Sequence, residues 1–271
     1  MSIVFPIGLD PIAVSIGGID IRWYGIFVAA SIAVAVLLGR SGARRVGLAT
    51  SLVDDAVLWV GISALIGGRI LYLVQNELPD LAAHPLHALA IWHGGLSFYG
   101  GLIAGLVGLA AWARHAGVRL PGAADIAAPA VAAGQAVGHV GCLIGGDSFG
   151  LPTSGPLAVI YTNPDTMAPK GVPLHPAQAY EAAALAVLAV AIWLSRGRLE
   201  RIGPGATAAV YLLGNAAIRF GLFFLRDDVV VFAGLKVAQL IAMGIGLAAV
   251  AWLIALRHQP TAAGVPEVRP R

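Results

Sequence analysis

Residues 138–150 read Gly-His-Val-Gly-Cys-Leu-Ile-Gly-Gly-Asp-Ser-Phe-Gly, and they carry reactive side chains out of an apolar segment into a loop. The stretch continues a run rich in Ala and Val, and it places His139, Cys142 and Asp147 where polar groups are costly. Ionisable residues at membrane depth are usually functional or tightly paired. The stretch therefore indicates a membrane-spanning segment with a candidate site at its end.

The composition of the whole chain supports a membrane protein. Its 271 residues are 58% hydrophobic and 11% charged, whereas soluble globular domains carry roughly 25% charged residues. The single cysteine, Cys142, excludes an internal disulfide and a cysteine-rich metal site. The net charge of +3 does not indicate binding to nucleic acid, because the basic residues fall mostly in short loops.

Seven apolar segments are each long enough to cross a hydrocarbon core of about 30 Å. We therefore predict an all-α, polytopic fold with a seven-helix transmembrane domain at 22–257, an N-terminal periplasmic or interfacial arm at 1–21 and a cytoplasmic tail at 258–271. The glycine-rich third segment predicts close approach between helix backbones in lipid. The segments lie at 22–39, 53–74, 94–113, 123–145, 176–195, 205–225 and 233–256.

The basic residues predict the orientation of these segments. Arginines follow the first, third and fifth segments, whereas the connections 75–93 and 147–175 contain Lys170 as their only lysine or arginine. The positive-inside rule then places the N-terminus outside and the C-terminus inside.

With that orientation, polar side chains from six segments lie at one depth, roughly 5–10 Å below the outer interface. Any one of them is compatible with a structural role, because arginines near helix ends snorkel and tyrosines belong to the interfacial belt. Their agreement in depth favours a polar cavity in the outer half of the bilayer. The set comprises Tyr24, Arg69, Tyr99, His139, Tyr180, Glu181 and Arg219.

Two arginines of the sixth segment differ in their local partners. Arg219 and Arg226 are seven residues apart, so they share one helix face. Arg226 is followed directly by two aspartates, whereas Arg219 has no acid within one turn. Arg219 therefore needs an anion, and Glu181, Asp147 and a lipid phosphate are the alternatives.

Several segments together resemble the prolipoprotein diacylglyceryl transferase family. Their order, their spacing and the seven-segment pattern agree, which is more specific than any single motif. The segments are 5–11, 21–25, Gly68-Arg69 with Tyr72, 92–102, 138–150, 175–181, and Arg219-Phe220 with Arg226.

The resemblance implies a group-transfer reaction. The diacylglyceryl group of phosphatidylglycerol would pass to the thiol of a lipobox cysteine in a preprolipoprotein signal peptide, forming a thioether and releasing glycerol phosphate. The reaction would occur within the bilayer, at the outer face of a bacterial cytoplasmic (inner) membrane. It would need no metal and no organic cofactor.

The resemblance also implies roles for individual residues. Lipid phosphate needs cationic donors, which Arg219 and Arg69 would supply, and a thiol must lose its proton before it attacks. Tyrosine is a weak base, so Tyr99 is expected to donate a hydrogen bond to phosphate or ester oxygen. The implied catalytic residues are His139, Tyr99 and Arg219. The implied substrate-binding residues are Tyr24, Arg69, Gly95, Gly100, Asp147, His175, Tyr180, Glu181 and Arg226.

The chain departs from the family pattern in its most informative stretch. His139 stands where the family usually has an arginine; protonated it would bind phosphate, and neutral it would take the thiol proton. Cys142 either packs as a small apolar residue or is a reactive, self-lipidated thiol. The full set of departures is His139 for arginine, Cys142 and Gly145 for asparagines, Asp147 for glutamate, Asn215 for tyrosine and Phe223 for an acid.

Two other functions remain open. A divergent, non-catalytic or altered-specificity family member would bind anionic lipid or a lipoprotein precursor. A transporter is disfavoured, because no inverted repeat is visible and the polar groups gather near one face.

Overall fold

The computed structural model describes residues 4–78, 84–89 and 95–258, and most of these residues are helical. The predicted tail from residue 259 onward lies outside the described residues. Short 3-10 turns cover Pro85–Leu89 and Phe223–Leu225. The α-helices in this described part are α1 (Trp23–Arg45), α2 (Ser51–Asn76), α3 (Phe98–Ala116), α4 (Leu120–Gly145), α5 (Ala177–Leu199), α6 (Ala206–Leu222) and α7 (Val237–Arg257).

Six of these helices are long and apolar enough to cross a membrane: α1, α2, α4, α5, α6 with its 3-10 extension, and α7. The prediction of a mostly helical protein with several membrane-spanning helices is confirmed. The third predicted segment corresponds to α3, which has 19 residues and is not among the six. The count of seven spans and the orientation of the termini therefore stay predictions.

Short strands join the helices, and the prediction of an all-α fold did not include them. Strand β1 (Val4–Ile7) runs parallel to β4 (Ala158–Tyr161), which pairs antiparallel with β5 (Pro173–Leu174). The hairpins are β2 (Ile12–Ile16) with β3 (Ile19–Arg22), and β6 (Val230–Phe232) with β7 (Leu235–Lys236). Each strand has two to five residues, which is too short for a clear alternating pattern in the sequence.

The chain divides into two units, each described by itself. The first unit comprises residues 4–39 and 124–258, and the second comprises the described residues between 40 and 123. The strands of the described residues all belong to the first unit, and β4 and β5 contribute Val159, Tyr161 and Leu174 to a small buried core. The second unit is built on α2 and α3.

Glycine allows α2 and α3 to pack closely within the second unit. A Cβ atom at Gly100 would lie 2.3 Å from the carbonyl oxygen of Gly67, and one at Gly108 would lie 2.4 Å from Ser63 Oγ. Small residues at helix contacts have this effect in lipid, where packing rather than burial from water drives association. The close approach predicted for the glycine-rich third segment is confirmed.

Within the first unit, Asp125 of α4 fixes the start of α6. Its Oδ2 accepts a hydrogen bond from the Gly205 N–H at 2.6 Å, and its Oδ1 accepts one from the Ala208 N–H at 2.9 Å. The first N–H groups of a helix have no intrahelical partner, and the positive end of the helix dipole favours a carboxylate. Asp125 therefore sets the position of α6, and of Arg219 on it, relative to α4.

Replacing this cap should destabilise the protein. We expect Asp125→Ala to cost about 1–2 kcal/mol, because two N–H groups lose their acceptor. Thermal unfolding of the detergent-purified protein, followed by tryptophan fluorescence, measures the change. Asp55→Ala removes an exposed acid of α2 and serves as the control. Equal melting temperatures for the two variants would contradict the role given to Asp125.

Candidate active site

The stretch 138–150 forms the last turns of α4 and the loop that follows. Gly146 adopts a positive φ of 71° directly after the helix, and its N–H donates to the Cys142 carbonyl at 2.9 Å. Glycine in this conformation ends helices because it lacks a Cβ atom. His139 and Cys142 therefore lie in the last two turns of α4, and Asp147 lies just beyond it.

The loop is tied to the start of α5 and the end of α6. The Gly150 N–H donates to the His175 carbonyl at 3.1 Å, and the Leu151 N–H donates to the Leu225 carbonyl at 2.8 Å. A Cβ atom at Gly150 would lie 2.6 Å from the His175 carbonyl oxygen, so glycine is required at this crossing. The crossing brings the end of α4, the start of α5 and the end of α6 together.

Glu181 on α5 is the centre of this assembly. It is 1% exposed, and its Oε1 lies 3.6 Å from His139 Nε2 and 3.9 Å from Arg219 Nη1. Both distances exceed those of direct hydrogen bonds. A buried carboxylate costs several kcal/mol unless a cation compensates it, so the contact with Arg219 explains how Glu181 is tolerated. Of the two acidic side chains considered for Arg219, Glu181 is the one within ion-pair distance in the described residues.

An aromatic ring lies between the two arginines of α6 and its extension. The buried Phe223 ring has its centre 5.0 Å from the Arg219 guanidinium carbon and 4.7 Å from that of Arg226. Arg226 Nε also donates to Asp228 Oδ2 at 2.8 Å. A ring face attracts a cation by about 0.5–2 kcal/mol without neutralising it. Phe223 therefore contacts both guanidinium groups without neutralising either, and Asp228 pairs with Arg226.

Two buried residues at the start of α7 hold the end of α6, and the sequence analysis missed both. Lys236 Nζ donates to the Phe223 carbonyl at 2.6 Å and also to the Arg226 carbonyl. Gln239 Nε2 donates to the Phe220 carbonyl at 3.1 Å. The last carbonyls of a helix need such donors. The available signal was Lys236 itself, an ionisable residue inside the predicted segment 233–256.

Gln178 and Tyr161 hold the loop against α5, and neither was singled out from the sequence. The buried Gln178 Nε2 donates to the Asp147 carbonyl and lies 3.5 Å from Tyr161 Oη. Tyr161 Oη donates to the Leu143 carbonyl at 2.9 Å. Burial raises the pKa of Tyr161 to about 12, so its hydroxyl stays protonated and keeps donating.

Enclosed polar atoms without a hydrogen-bond partner gather in this part of the first unit. Leaving such an atom unsatisfied costs about 1–3 kcal/mol, so a group of them indicates a place built for a polar ligand. The atoms are His139 Nδ1, Asp147 Oδ1, His175 Nδ1, Gln178 Oε1 and Glu181 Oε2.

The other predicted site residues of the first unit lie around this centre without contacting Glu181 in any ion pair. The backbone of Tyr24 packs against α4, because a Cβ atom at Gly141 would lie 3.3 Å from Tyr24 Cα. The ring centres of Tyr180 and His175 are 6.2 Å apart. The structure thus joins His139, Glu181 and Arg219 directly, and it joins Asp147 to α5 through Gln178.

In the second unit, Arg69 is bound by backbone carbonyls. It is 8% exposed, and its guanidinium donates to the carbonyls of His87 at 2.6 Å, Ala88 at 3.0 Å and Gly95 at 3.1 Å. Gly95 has a φ of 78°, and a Cβ atom there would lie 2.6 Å from Arg69 Nη1. Arg69 therefore holds the segments 84–89 and 95–97 on α2. The role of Arg69 as a phosphate ligand stays a prediction. These hydrogen bonds do not support it, because they direct the guanidinium toward backbone carbonyls.

Tyr99 and Gly100 begin α3 in the same unit. Tyr99 is 42% exposed, and Gly100 is required by its packing against Gly67. The roles predicted for Tyr99, Gly95 and Gly100 toward substrate stay predictions.

The chemistry available in the first unit is anion binding and proton transfer. The Arg219 side chain is 34% exposed, so its guanidinium can reach an anion while it faces Glu181. His139 Nε2 faces a carboxylate, the arrangement that supports an imidazole acting as a base. Across residues 4–78, 84–89 and 95–258, no three His, Cys, Asp or Glu side chains come together as a metal site requires.

Comparison with known proteins identifies the family. A family model described as prolipoprotein diacylglyceryl transferase matches residues 11–255. A phosphatidylglycerol–prolipoprotein diacylglyceryl transferase of Solidesulfovibrio magneticus is 34% identical over 256 residues, covering 92% of this chain and 94% of that protein. One of the same name from Nitratidesulfovibrio vulgaris is 33% identical over 269 residues, covering 94% and 96%. The chain belongs to the prolipoprotein diacylglyceryl transferase family.

The hydrogen bonds of Arg69 generate a prediction about stability. Arg69→Lys keeps the positive charge but loses the planar fork that reaches three carbonyls. We expect a fall in the apparent melting temperature in detergent that corresponds to roughly 1–3 kcal/mol, because buried carbonyls lose their donors.

Arg44→Lys, at an exposed position near the end of α1, is the matched control and should leave the melting temperature unchanged. An unaltered melting temperature for Arg69→Lys would mean that Arg69 does not hold this segment.

Proposed function

We propose, on the premise of that family membership, that this protein transfers the diacylglyceryl group of phosphatidylglycerol to prolipoproteins. It is a multi-pass membrane transferase, in agreement with its six apolar helices and with the names of its relatives. The observation that carries the proposal to particular residues is the buried Glu181 carboxylate, which contacts His139 on one side and Arg219 on the other.

The finer details of the reaction are proposed as well. The acceptor is the thiol of the lipobox cysteine in the prolipoprotein signal peptide, and the products are a thioether and glycerol phosphate. The enzyme lies in a bacterial cytoplasmic (inner) membrane with seven spans and its N-terminus outside. This arrangement is supported by the arginines after alternate spans, which the positive-inside rule places in the cytoplasm.

Arg219 binds the lipid phosphate in this mechanism. Its guanidinium presents several N–H donors in one plane, and its Nη1 lies 3.9 Å from Glu181 Oε1, beyond hydrogen-bond distance. Arg226, held over the same Phe223 ring, adds a second cation toward the headgroup. Both cations are fixed in place before the substrate binds, by Phe223, Glu181 and Asp228.

His139 removes the proton from the acceptor thiol. A neutral thiol is a poor nucleophile, and the thiolate forms when a nearby base takes the proton. The Glu181 carboxylate stabilises the imidazolium that results, because the positive charge develops beside a fixed negative charge.

The thiolate sulfur then attacks the carbon of the diacylated glycerol that is bonded to the phosphate oxygen. The new C–S bond forms as the C–O bond breaks, and the electron pair of that bond leaves on the phosphate oxygen of glycerol phosphate. Arg219 stabilises the added negative charge on this leaving group. The proton held by His139 returns to the departing phosphate, so the site regains its starting state.

The remaining predicted residues have supporting roles in the proposal. Asp147, His175, Tyr24 and Tyr180 surround the centre in the first unit and contact the headgroup or the peptide. For Tyr99 of the second unit, the proposed role remains a hydrogen bond to a phosphate or ester oxygen, without a stated position relative to the first unit. Arg69, Gly95 and Gly100 shape the segment that begins α3.

The proposal predicts a specific product. The purified chain, in nanodiscs that contain phosphatidylglycerol, should add one diacylglyceryl group to a lipobox peptide, with release of one equivalent of glycerol phosphate. Mass spectrometry of the peptide and a coupled assay for glycerol phosphate measure the two products. A peptide with serine in place of the lipobox cysteine should remain unmodified.

The transferase from Solidesulfovibrio magneticus, assayed in parallel, shows that the assay works. Product from that enzyme but none from this chain would contradict the proposal. In that event phosphatidylglycerol binding without turnover would identify a non-catalytic lipid-binding member of the family. His139→Arg would then test the cause, because restored activity would assign the defect to that substitution.

A further inference from the structure

A polar cluster lies one helical turn away from the proposed site, within the first unit. Gln135 Oε1 of α4 accepts hydrogen bonds from Tyr211 Oη at 2.9 Å and from Asn215 Nδ2 at 3.1 Å, both on α6. The cluster is partly buried. The mechanism above uses none of these residues.

Sequence spacing links the cluster to the site. Gln135 is four residues before His139 on α4, and Asn215 is four residues before Arg219 on α6. Residues four apart share a helix face and are separated by about 6 Å along the axis. Gln135 and Asn215 therefore lie about one turn nearer the middle of their helices than His139 and Arg219 do.

The Gln135 amide nitrogen is a hydrogen-bond donor that the cluster itself does not use. Both lone pairs of Gln135 Oε1 are occupied, whereas no described residue accepts from the Gln135 amide nitrogen. That nitrogen is not among the fully enclosed unpartnered atoms, so it retains accessible surface from which a ligand can be reached. An amide N–H inside a bilayer without an acceptor is costly, because lipid tails offer none.

The chemistry of the cluster selects a neutral acceptor. Gln135, Tyr211 and Asn215 carry no charge, so they do not duplicate the cationic phosphate site at Arg219. In a diacylglycerophospholipid the ester carbonyls are the nearest acceptors to the phosphate, on the side toward the hydrocarbon core. They are uncharged oxygen acceptors, and an amide N–H suits them.

We propose that Gln135, oriented by Tyr211 and Asn215, binds an ester carbonyl of the diacylglyceryl group and makes the protein select acyl-ester lipids over ether lipids. The inference rests on the proposed function for the identity of the lipid. The proposed contact is separate from phosphate binding, and it distinguishes ester-linked from ether-linked hydrocarbon chains.

A competition experiment tests the selection directly. Delipidated full-length protein in detergent receives equal amounts of diester phosphatidylglycerol and its diether analogue, which has the same headgroup and chain length but no carbonyls. Native mass spectrometry gives the ratio of the two complexes. We expect the wild type to favour the diester by about three- to tenfold, the value of one hydrogen bond.

Gln135→Leu should bring this ratio close to one. Asn215→Leu removes one of the two hydrogen bonds that orient the Gln135 amide, so it should lower the ratio. Ser31→Ala removes another partly buried polar group that packs against α4 and should keep the wild-type ratio. A wild-type ratio of one, or an unchanged ratio in Gln135→Leu, would overturn the proposal. If Gln135→Leu raised the KM for the peptide and left the lipid ratio unchanged, the Gln135 amide would bind a peptide carbonyl instead. That result would also overturn the proposal.

The transfer assay with the same two lipids separates this inference from the proposed function. Selective binding of the diester without turnover would support the ester contact and contradict the transferase. Equal turnover and equal binding of both lipids would support the transferase and contradict the ester contact.

Discussion

The burial of the Glu181 carboxylate is the constraint on which the first unit depends. A carboxylate that is 1% exposed has lost its water and must be compensated by cations placed within a few ångströms. Arg219 of α6 meets this need, and His139 of α4 lies on the other side of the carboxylate, where the charge of an imidazolium would be stabilised once it forms. Other contacts fix the helices that carry these groups: Asp125 sets the start of α6, Lys236 holds its end, and Gly150 allows the loop to cross His175.

The charge around Glu181 is unequally divided, and this division suits an anionic substrate. One carboxylate faces two basic side chains, and Phe223 stands between Arg219 and Arg226 where an acid would neutralise them. The Arg219 side chain is 34% exposed and lies 3.9 Å from the carboxylate, so its guanidinium can still reach an anionic substrate. His139 adds a group that can give up or accept a proton, which an arginine in that position cannot do. In the proposed mechanism His139 is therefore the base, whereas an arginine at this position would bind phosphate permanently.

The sequence predicts the helices well because a bilayer imposes a length and an apolar composition on every span. It does not predict the short strands, whose pairings join β1 to β4 across about half of the chain. The partner of Arg219 stayed open among three anions, because contacts between distant helices depend on loops such as 146–152 rather than on periodicity. Arg69 illustrates the opposite case. Its depth in the membrane suggested that it binds a ligand, but it binds the carbonyls of His87, Ala88 and Gly95, and the sequence does not show that these backbone groups face Arg69.

A double-mutant cycle on Glu181 and Arg219 is the most direct measurement of the central claim. Glu181→Gln and Arg219→Gln, each checked for an unchanged melting temperature, are compared with the double variant in the transfer assay. If the carboxylate acts through the groups it contacts, each single variant lowers kcat by roughly 100-fold and the double variant is little worse than either. Full additivity of the two losses, or wild-type activity in Glu181→Gln, would contradict the account.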